Sequence, residues 1–302
     1  MSLILVPCAV CGGRDFQLLY PGTLDPTRPP GSYFSSSRQS AAYPDIVRCQ
    51  ACGLVMANPR DDEATLSQVY TELSDGVYEE EDANRARAAE EHLSLVLAQS
   101  GQRGRLLDVG CATGFFVAAA AGAGFDVSGL DASRFAIERA RRRCPEASFQ
   151  VGVLETARFA SGSFDVITLW DVLEHVHAPR DALLRVCEWL SPAGLLFMSL
   201  PNAASLTARV FGPRWVLLLR EHLWYFSPGT VSRLLTDTGF DLDRTRVKWV
   251  SFSLGNVARR LGQYPGSLGR ILGSLAGLGV LKKASVRFPM GEMDVVARRS
   301  PG

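Results

Sequence analysis

An excess of charge of either sign is missing from this chain. Lys plus Arg number 32 and Asp plus Glu 31 in 302 residues, a formal net charge of +1. Without a global positive field there is little to hold a polyanion or an anionic surface, which counts against nucleic acid as a partner and against peripheral membrane contact. Long apolar runs are missing too. The charge-free apolar stretch between Arg270 and Lys282 is well short of the ~20 residues that a membrane-spanning helix needs. The opening Met1-Ser2-Leu3-Ile4-Leu5-Val6-Pro7 has neither a basic stretch nor the apolar length of a secretory signal, so the expected compartment is the cytoplasm, where thiols stay reduced. Histidines number only four, which leaves few imidazoles for acid–base chemistry. Apolar side chains are plentiful, and 47% hydrophobic with 9% aromatic residues can fill more than one core.

The seven cysteines are unevenly spread. Cys8-Ala9-Val10-Cys11 and Cys49-Gln50-Ala51-Cys52 are two pairs of one design, each followed by glycine, Gly12 or Gly53. A C-x-x-C turn aims two thiolates at one point, and two such turns complete the tetrahedral sulfur shell that zinc favours. Filling all four positions with cysteine closes the site, so the expected zinc is structural and takes no part in catalysis. Strand-like pieces at Phe16–Tyr20 and Ile46–Arg48 flank a Pro/Gly/Ser-rich loop from Pro21 to Ser40, giving a ribbon that ends at Asn58-Pro59-Arg60. Cys111, Cys144 and Cys187 stand alone and read as small buried residues.

From Ala83 to Gly101, Ala86, Ala89, Leu93, Val96 and Leu97 recur at helical spacing. Strands and helices then alternate. Strands are expected at Arg105–Val109, Asp126–Leu130, Phe149–Val151, Phe164–Trp170 and Leu195–Leu200, and helices at Phe115–Gly122, Ser133–Arg143 and Arg180–Leu190. Asp241–Phe252 and Met293–Arg298 read as an antiparallel edge pair. This order predicts an α/β fold, a doubly wound, mostly parallel seven-stranded sheet whose ligands lie beyond the carboxyl ends of the strands.

Leu106-Leu107-Asp108-Val109-Gly110-Cys111-Ala112-Thr113-Gly114 runs from a strand into a helix. A dinucleotide fingerprint counted from Gly110 needs glycines where Ala112 and Phe115 stand, so that reading fails. Asp108, just before the turn, would repel a pyrophosphate and favour a cationic ligand. Asp131, after the next strand, is placed to take both hydroxyls of a ribose. A ribose without a pyrophosphate points to S-adenosylmethionine.

These residues resemble the class I S-adenosylmethionine-dependent methyltransferases, with a Rossmann-like domain, over about Ala83 to Arg298. Ser163-Phe164-Asp165-Val166-Ile167, Asp171-Val172-Leu173-Glu174-His175-Val176 and Leu200-Pro201-Asn202 extend the match. With the cysteine pairs and Cys52-Gly53-Leu54-Val55-Met56-Ala57-Asn58-Pro59-Arg60, the chain is similar to small-molecule methyltransferases that carry an N-terminal zinc ribbon. The resemblance implies donor contacts from Asp108, Gly110, Cys111, Gly114, Asp131 and Ala132, with Trp170 and Asp171 completing the pocket. Where the family has an acid for the adenine amino group this chain has Val153, leaving adenine to backbone amides near Val153 and Leu154 and to apolar packing.

Methyl transfer from a sulfonium needs an aligned nucleophile and, for a hydroxyl or enol, removal of its proton. Arg220-Glu221-His222-Leu223-Trp224-Tyr225-Phe226-Ser227 resembles the Glu-His-aromatic-Phe-Ser stretch of zinc-containing sugar C-methyltransferases. His222 is either the base, with Glu221 raising its basicity and Tyr225 relaying a proton, or a structural anchor of a lid. His175 is a further candidate. Asp171, Glu174 and His175 on one helical turn are similar to an arrangement associated with magnesium in ubiquinone-pathway O-methyltransferases, and equally suit a hydrogen-bonded turn. His92 is expected on the surface and His177 in a solvated loop.

The expected organisation is a zinc ribbon at 1–60, a linker at 61–82 and a methyltransferase domain at 83–302, with substrate-lid insertions near 201–227 and 253–290. The expected activity is methylation of oxygen or carbon on a small molecule, such as a sugar or a natural-product intermediate. The competing readings are a zinc-ribbon rRNA methyltransferase and a catalytically silent protein that binds S-adenosylmethionine.

Overall fold

The computed structural model describes residues 3–25, 42–62, 65, 82–101, 103–253 and 285–301. The bulk of the Pro/Gly/Ser-rich loop, nearly all of the expected linker, most of the second lid insertion and the apolar stretch from Leu268 lie outside the described residues.

The N-terminal part contains strands β1 (Leu3–Ile4), β2 (Phe16–Tyr20), β3 (Ile46–Cys49), β4 (Val55–Ala57) and β5 (Arg60–Asp61). Helix α1 (Asp82–Gln99) leads into β6 (Arg105–Val109), α2 (Phe115–Gly122), β7 (Asp126–Asp131), α3 (Arg134–Arg143), β8 (Ser148–Val151) and β9 (Phe164–Trp170). After a 3-10 turn at Leu173–His175 come α4 (Pro179–Trp189), β10 (Leu190–Pro201), α5 (Leu206–Phe211), β11 (Trp224–Tyr225), α6 (Pro228–Thr236) and β12 (Phe240–Val247). β13 (Val250–Ser253), β14 (Ser285–Phe288) and β15 (Glu292–Arg299) end the order.

Seven strands form one sheet in the order β12-β15-β10-β9-β6-β7-β8. The five strands from β10 to β8 run parallel, and β15 is antiparallel to both β10 and β12. The apolar runs of β6, β9 and β10 suit strands covered on both faces, because a buried parallel sheet has no solvent side to mark with polar residues. The expected edge pair is present with one correction. The run from Asp241 to Phe252 is two strands, not one: Lys248 follows β12, its amide donates to the Glu292 carbonyl, and β13 then leaves the main sheet to pair with β14. Ser133 caps α3 as expected, its hydroxyl accepting from the Ala136 amide at 3.2 Å.

The ribbon's sheet has the order β11-β4-β3-β2, so its outer strand comes from far along the chain. Trp224 pairs with Met56 and Tyr225 with Val55. A single apolar cluster contains Cys8, Val10, Leu54 and Met56 of the ribbon together with Leu169, Leu183, Leu200, Trp224 and Phe226. A second cluster on the opposite face joins α1, α2 and α3 to β6 and β7 through Val96, Leu106, Val117, Val127 and Ile137. The ribbon is therefore packed as a third layer over one face of the sheet.

Candidate active site

The carboxyl ends of β6, β7, β8 and β9 meet along one edge, where a parallel sheet exposes its loops to ligands. Gly110 turns the chain after β6 with φ 74°, and a Cβ there would lie 2.5 Å from Val172 Cγ2. Gly114, φ 79°, precedes the first turn of α2 and lies against α3, where an added Cβ would come within 2.8 Å of Ala140 Cβ. Both positions combine left-handed backbone with close packing, which only glycine accommodates without strain. The Gly110 and Cys111 amides donate to the Leu130 carbonyl, tying the loop to the end of β7.

Asp131 stands beside that loop. Its Oδ2 accepts from the Ala112 amide and its Oδ1 from the Ser133 amide, each at 2.8 Å. Each oxygen keeps a second lone pair, which is what two ribose hydroxyls require. Burial raises the Asp131 carboxyl above its ordinary value, against the lowering effect of the two amides and of Arg85. Asp108 is buried beneath the loop, where burial lifts its carboxyl to about 7 although the Thr168 hydroxyl donates to Oδ1 at 2.7 Å. Thr168, a polar residue inside the apolar run of β9, was missed by the sequence reading. Cys111 is buried, Leu154 is buried, and Ala132 and Val153 are exposed. Cys144 is buried as expected, and Cys187 is half-buried.

Trp170 ends β9, with His92 stacked on it at a centroid distance of 3.9 Å and an interplanar angle of 6°. Phe116 meets Trp170 edge-on at 5.5 Å. His92 is thus a buried residue, contrary to the surface position expected of it. Burial lowers its imidazole to about 3, so it is neutral at physiological pH. Asp171 follows with φ 56°, a left-handed conformation that costs a non-glycine residue energy. Both of its carboxylate oxygens accept from Lys248 Nζ at 3.0 Å, and the Lys248 ammonium holds the Asp171 carboxyl below its ordinary value against the cost of desolvation. Lys248 and Glu292, whose oxygen lies 3.7 Å from Nζ, were not singled out from the sequence.

Beyond Asp171 the turn at Leu173–His175 meets the segment 217–226. The Leu223 amide donates to the Glu174 carbonyl at 2.8 Å, and Trp224 Nε1 donates to the Val176 carbonyl at 2.7 Å. His175 Nδ1 bonds the Glu221 carbonyl and His222 Nδ1 the Leu217 carbonyl, both at 2.9 Å. A ring nitrogen facing a carbonyl must carry the proton, so in each neutral imidazole the lone pair falls to Nε2. Glu174, His175 and His222 each offer one donor atom within 4.8 Å of the others. Asp171 is not part of that group, and His222 stands where the sequence suggested Asp171. Burial lowers both imidazoles, His222 to about 3, and raises the Glu174 carboxyl, with the Asp171 charge adding to the effect.

The proposed neighbours of His222 behave differently from what adjacency in sequence suggested. Glu221 raises the affinity of His175 for a proton, through its charge and its carbonyl. Tyr225 is buried against Tyr43, Ile46, Val55 and Trp215. Its hydroxyl donates to the Leu219 carbonyl and accepts from the Leu219 amide, each at 3.3 Å, and burial raises it further from ionisation. That setting suits an anchor better than a proton relay. His177 is half-buried instead of solvated, and its carbonyl accepts from Arg60 Nη2 at 3.0 Å.

In the ribbon, Cys8 Sγ lies 3.4 Å from Cys52 Sγ and Cys11 Sγ 3.5 Å from Cys49 Sγ, with all four sulfurs within 4.8 Å of one another. The Gly12 amide donates to the Cys8 carbonyl and the Gly53 amide to the Cys49 carbonyl, so the two turns have the same form. Four sulfurs this close, joined by no disulfide, are a donor set that fits a tetrahedral zinc ion. Among the described residues no helix is long and apolar enough to cross a membrane.

Residues 81–245 match the family model described as a methyltransferase domain. A ubiquinone biosynthesis O-methyltransferase of Thiobacillus denitrificans is 30% identical over 151 residues, covering 46% of this chain and 65% of that protein. One from Bordetella avium is 34% identical over 130 residues, 41% of this chain and 54% of that protein. The chain thus spans less than two thirds of the length of these two relatives. A chain of a methyltransferase–activator complex from Haloferax volcanii superposes with a TM-score of 0.53 at 16% identity, covering 73% of this chain and 95% of that one. At that identity the likeness is one of fold.

Proposed function

Because this chain belongs to the methyltransferase-domain family, we propose that it transfers a methyl group from S-adenosylmethionine to a small-molecule acceptor whose nucleophile must lose a proton. The observation that carries this reading is the meeting, at one edge of the sheet, of the Gly110 turn with Asp131 on one side and the Glu174, His175 and His222 cluster on the other.

S-adenosylmethionine supplies a methyl group already activated by its sulfonium. Asp131 is proposed to hold the ribose hydroxyls, with Ala132 beside it. Gly110, Cys111 and Gly114 would let the methionine portion approach the backbone, and Asp108 would face its cationic end, which favours the ionised carboxylate. Val153 and Leu154 would border the adenine. Trp170 and Asp171 would close the pocket beside the methyl group. On the acceptor side His222 and His175 present unprotonated Nε2 atoms, and His222 is our candidate to receive the acceptor's proton. An imidazole lowered to about 3 in the closed site is always free to accept one, and a nearby developing charge would raise its basicity.

The names of the ubiquinone biosynthesis relatives favour an acidic hydroxyl on an aromatic ring as the acceptor. Cys8, Cys11, Cys49 and Cys52 would hold a structural zinc ion. A balanced net charge of +1 weighs against rRNA as acceptor, and the cytoplasm suits a site built on free cysteines. The test is release of S-adenosylhomocysteine with phenolic, sugar and RNA acceptors, alongside calorimetry with S-adenosylmethionine. Binding with no turnover on any acceptor would leave the silent binding protein as the better reading, and turnover on RNA alone would overturn the small-molecule assignment.

A further inference from the structure

The segment 217–226 carries or braces every acceptor-side group, yet it contains only the two-residue strand β11 and cannot hold its own shape. What holds it is the ribbon. Arg220 Nε donates to Asp61 Oδ2 at 2.6 Å and Nη2 to Asp61 Oδ1 at 2.7 Å, with the two side chains 0% and 1% exposed. Next to this pair the Arg60 guanidinium lies 4.2 Å from the centre of the Trp224 ring. The Ala57 amide donates to the Leu223 carbonyl at 3.0 Å, and the Tyr43 hydroxyl donates to the Pro213 carbonyl at 2.8 Å. A two-point guanidinium–carboxylate pair fixes orientation as well as distance. The residue it fixes adjoins Glu221, whose carbonyl sets the His175 tautomer, and lies between Leu217 and His222, which bond each other.

We propose that Asp61 and Arg220 are positioning residues for the acceptor site: their buried pair locks the segment so that the Glu221 and Leu217 carbonyls hold His175 and His222 with Nε2 toward the acceptor. This rests on the methyltransferase reading for its catalytic meaning, but the tautomer claim stands apart from it. A purely structural pair can be replaced by apolar side chains without loss. A pair that aims two imidazoles cannot, because Leu and Met keep the volume and lose the direction.

The test uses the full chain labelled with ¹⁵N-histidine; with four histidines in the sequence each ring can be assigned. Arg220→Met, Asp61→Asn and the double variant Asp61→Leu/Arg220→Met are compared with wild type. The double variant removes the uncompensated charge and so keeps the protein folded where a single change does not. The expected result is that the wild type shows His175 and His222 as Nδ1–H tautomers, and that the double variant shows both rings averaging between tautomers at unchanged thermal stability. S-adenosylmethionine affinity should persist, while kcat on an active acceptor falls by roughly 10²-fold, the usual consequence of misaligned reactants. Tautomers and kcat that stay wild-type in the double variant would overturn the proposal and leave the pair a packing element. If the wild type neither binds S-adenosylmethionine nor releases product, the methyltransferase reading fails, and the ring signals alone decide whether Asp61 and Arg220 position the histidines.

Discussion

The donor side and the acceptor side of this site are built by different means. On the donor side the glycine loop and Asp131 are held by the neighbouring turn and by the next strand. Asp131 bonds Ser133 and Ala112, and Ser133 caps the helix that follows. On the acceptor side the groups are held by residues far away in the chain: Arg220 by Asp61, Leu223 by Ala57 and Glu174, Trp224 by Met56 and Val176. A local site is fixed as soon as its strand and turn form. A non-local one depends on a second unit docking correctly, and whatever loosens that unit reaches the chemistry without touching the donor pocket.

The largest effect should therefore come from the ribbon. Cys49→Ser, or chelation of the metal, removes part of the folding free energy of a small thiolate-bound unit and with it the support for β11. Turnover should be lost while S-adenosylmethionine still binds. Metal analysis should find about one zinc per chain in the wild type and none in the variant. Simultaneous loss of donor binding, followed by calorimetry, would break the contrast between the two sides.

Next in size is His222→Ala, which should lower kcat by roughly 10²–10⁴, the range for a positioned acid–base group, with donor affinity close to wild type. If His222 only anchors the segment, the damage should appear mainly in KM, because a loosened lid weakens acceptor binding without removing a proton acceptor.

The same division explains what could be read from the sequence. Gly110, Gly114, Asp108 and Asp131 stand at strand ends, and the strands themselves are apolar runs, so local pattern was enough to bring them to one edge. The seven-stranded sheet followed from the alternation of strands and helices. That Trp224 and Tyr225 would extend the ribbon could not be read, since a two-residue strand has no period of its own and its partner is set by packing. His222 was picked out by its neighbours in sequence, but the residues that orient it, Leu217 by a carbonyl and Asp61 through Arg220, leave no local signature. Lys248 was overlooked for a related reason. A lysine in a strand-like run reads as an edge residue in solvent, whereas here it is only 14% exposed, pairing with an Asp171 that is 43% exposed.

Asp131→Ala sharpens the donor half of the comparison. Two hydrogen bonds to an ionised acceptor should cost about 2–4 kcal/mol of S-adenosylmethionine affinity by calorimetry. The variant also frees the Ala112 and Ser133 amides, so some of that loss will reflect a looser loop. The His175 and His222 ring signals should not move, and a change in them would join what the structure keeps apart.

The smallest effect concerns His92, where donor-side aromatic packing meets a titratable group. The helical pattern of α1 marked Ala89, Leu93 and Val96 as inward, and His92 was left outside because it is polar. The buried face instead runs through Ala89, His92, Leu95 and Val96, and the imidazole lies flat on Trp170. Its folded value of about 3 lies below the unfolded value, so the native state keeps it neutral while the unfolded chain takes up a proton as pH falls. That contribution to stability is complete above the unfolded value near 6.5 and is lost progressively as pH drops toward 3. His175 and His222 are lowered in the same direction, so the wild type is sensitive to acid at three imidazoles. His92→Phe keeps a flat ring on Trp170 and removes one of them. Thermal melts should show the wild type losing about 2 kcal/mol more than the variant between pH 7 and pH 5, with both able to bind S-adenosylmethionine at pH 7. Parallel pH profiles would mean that His92 is hydrated in solution, and the stack that closes the donor side beside Trp170 would then be open.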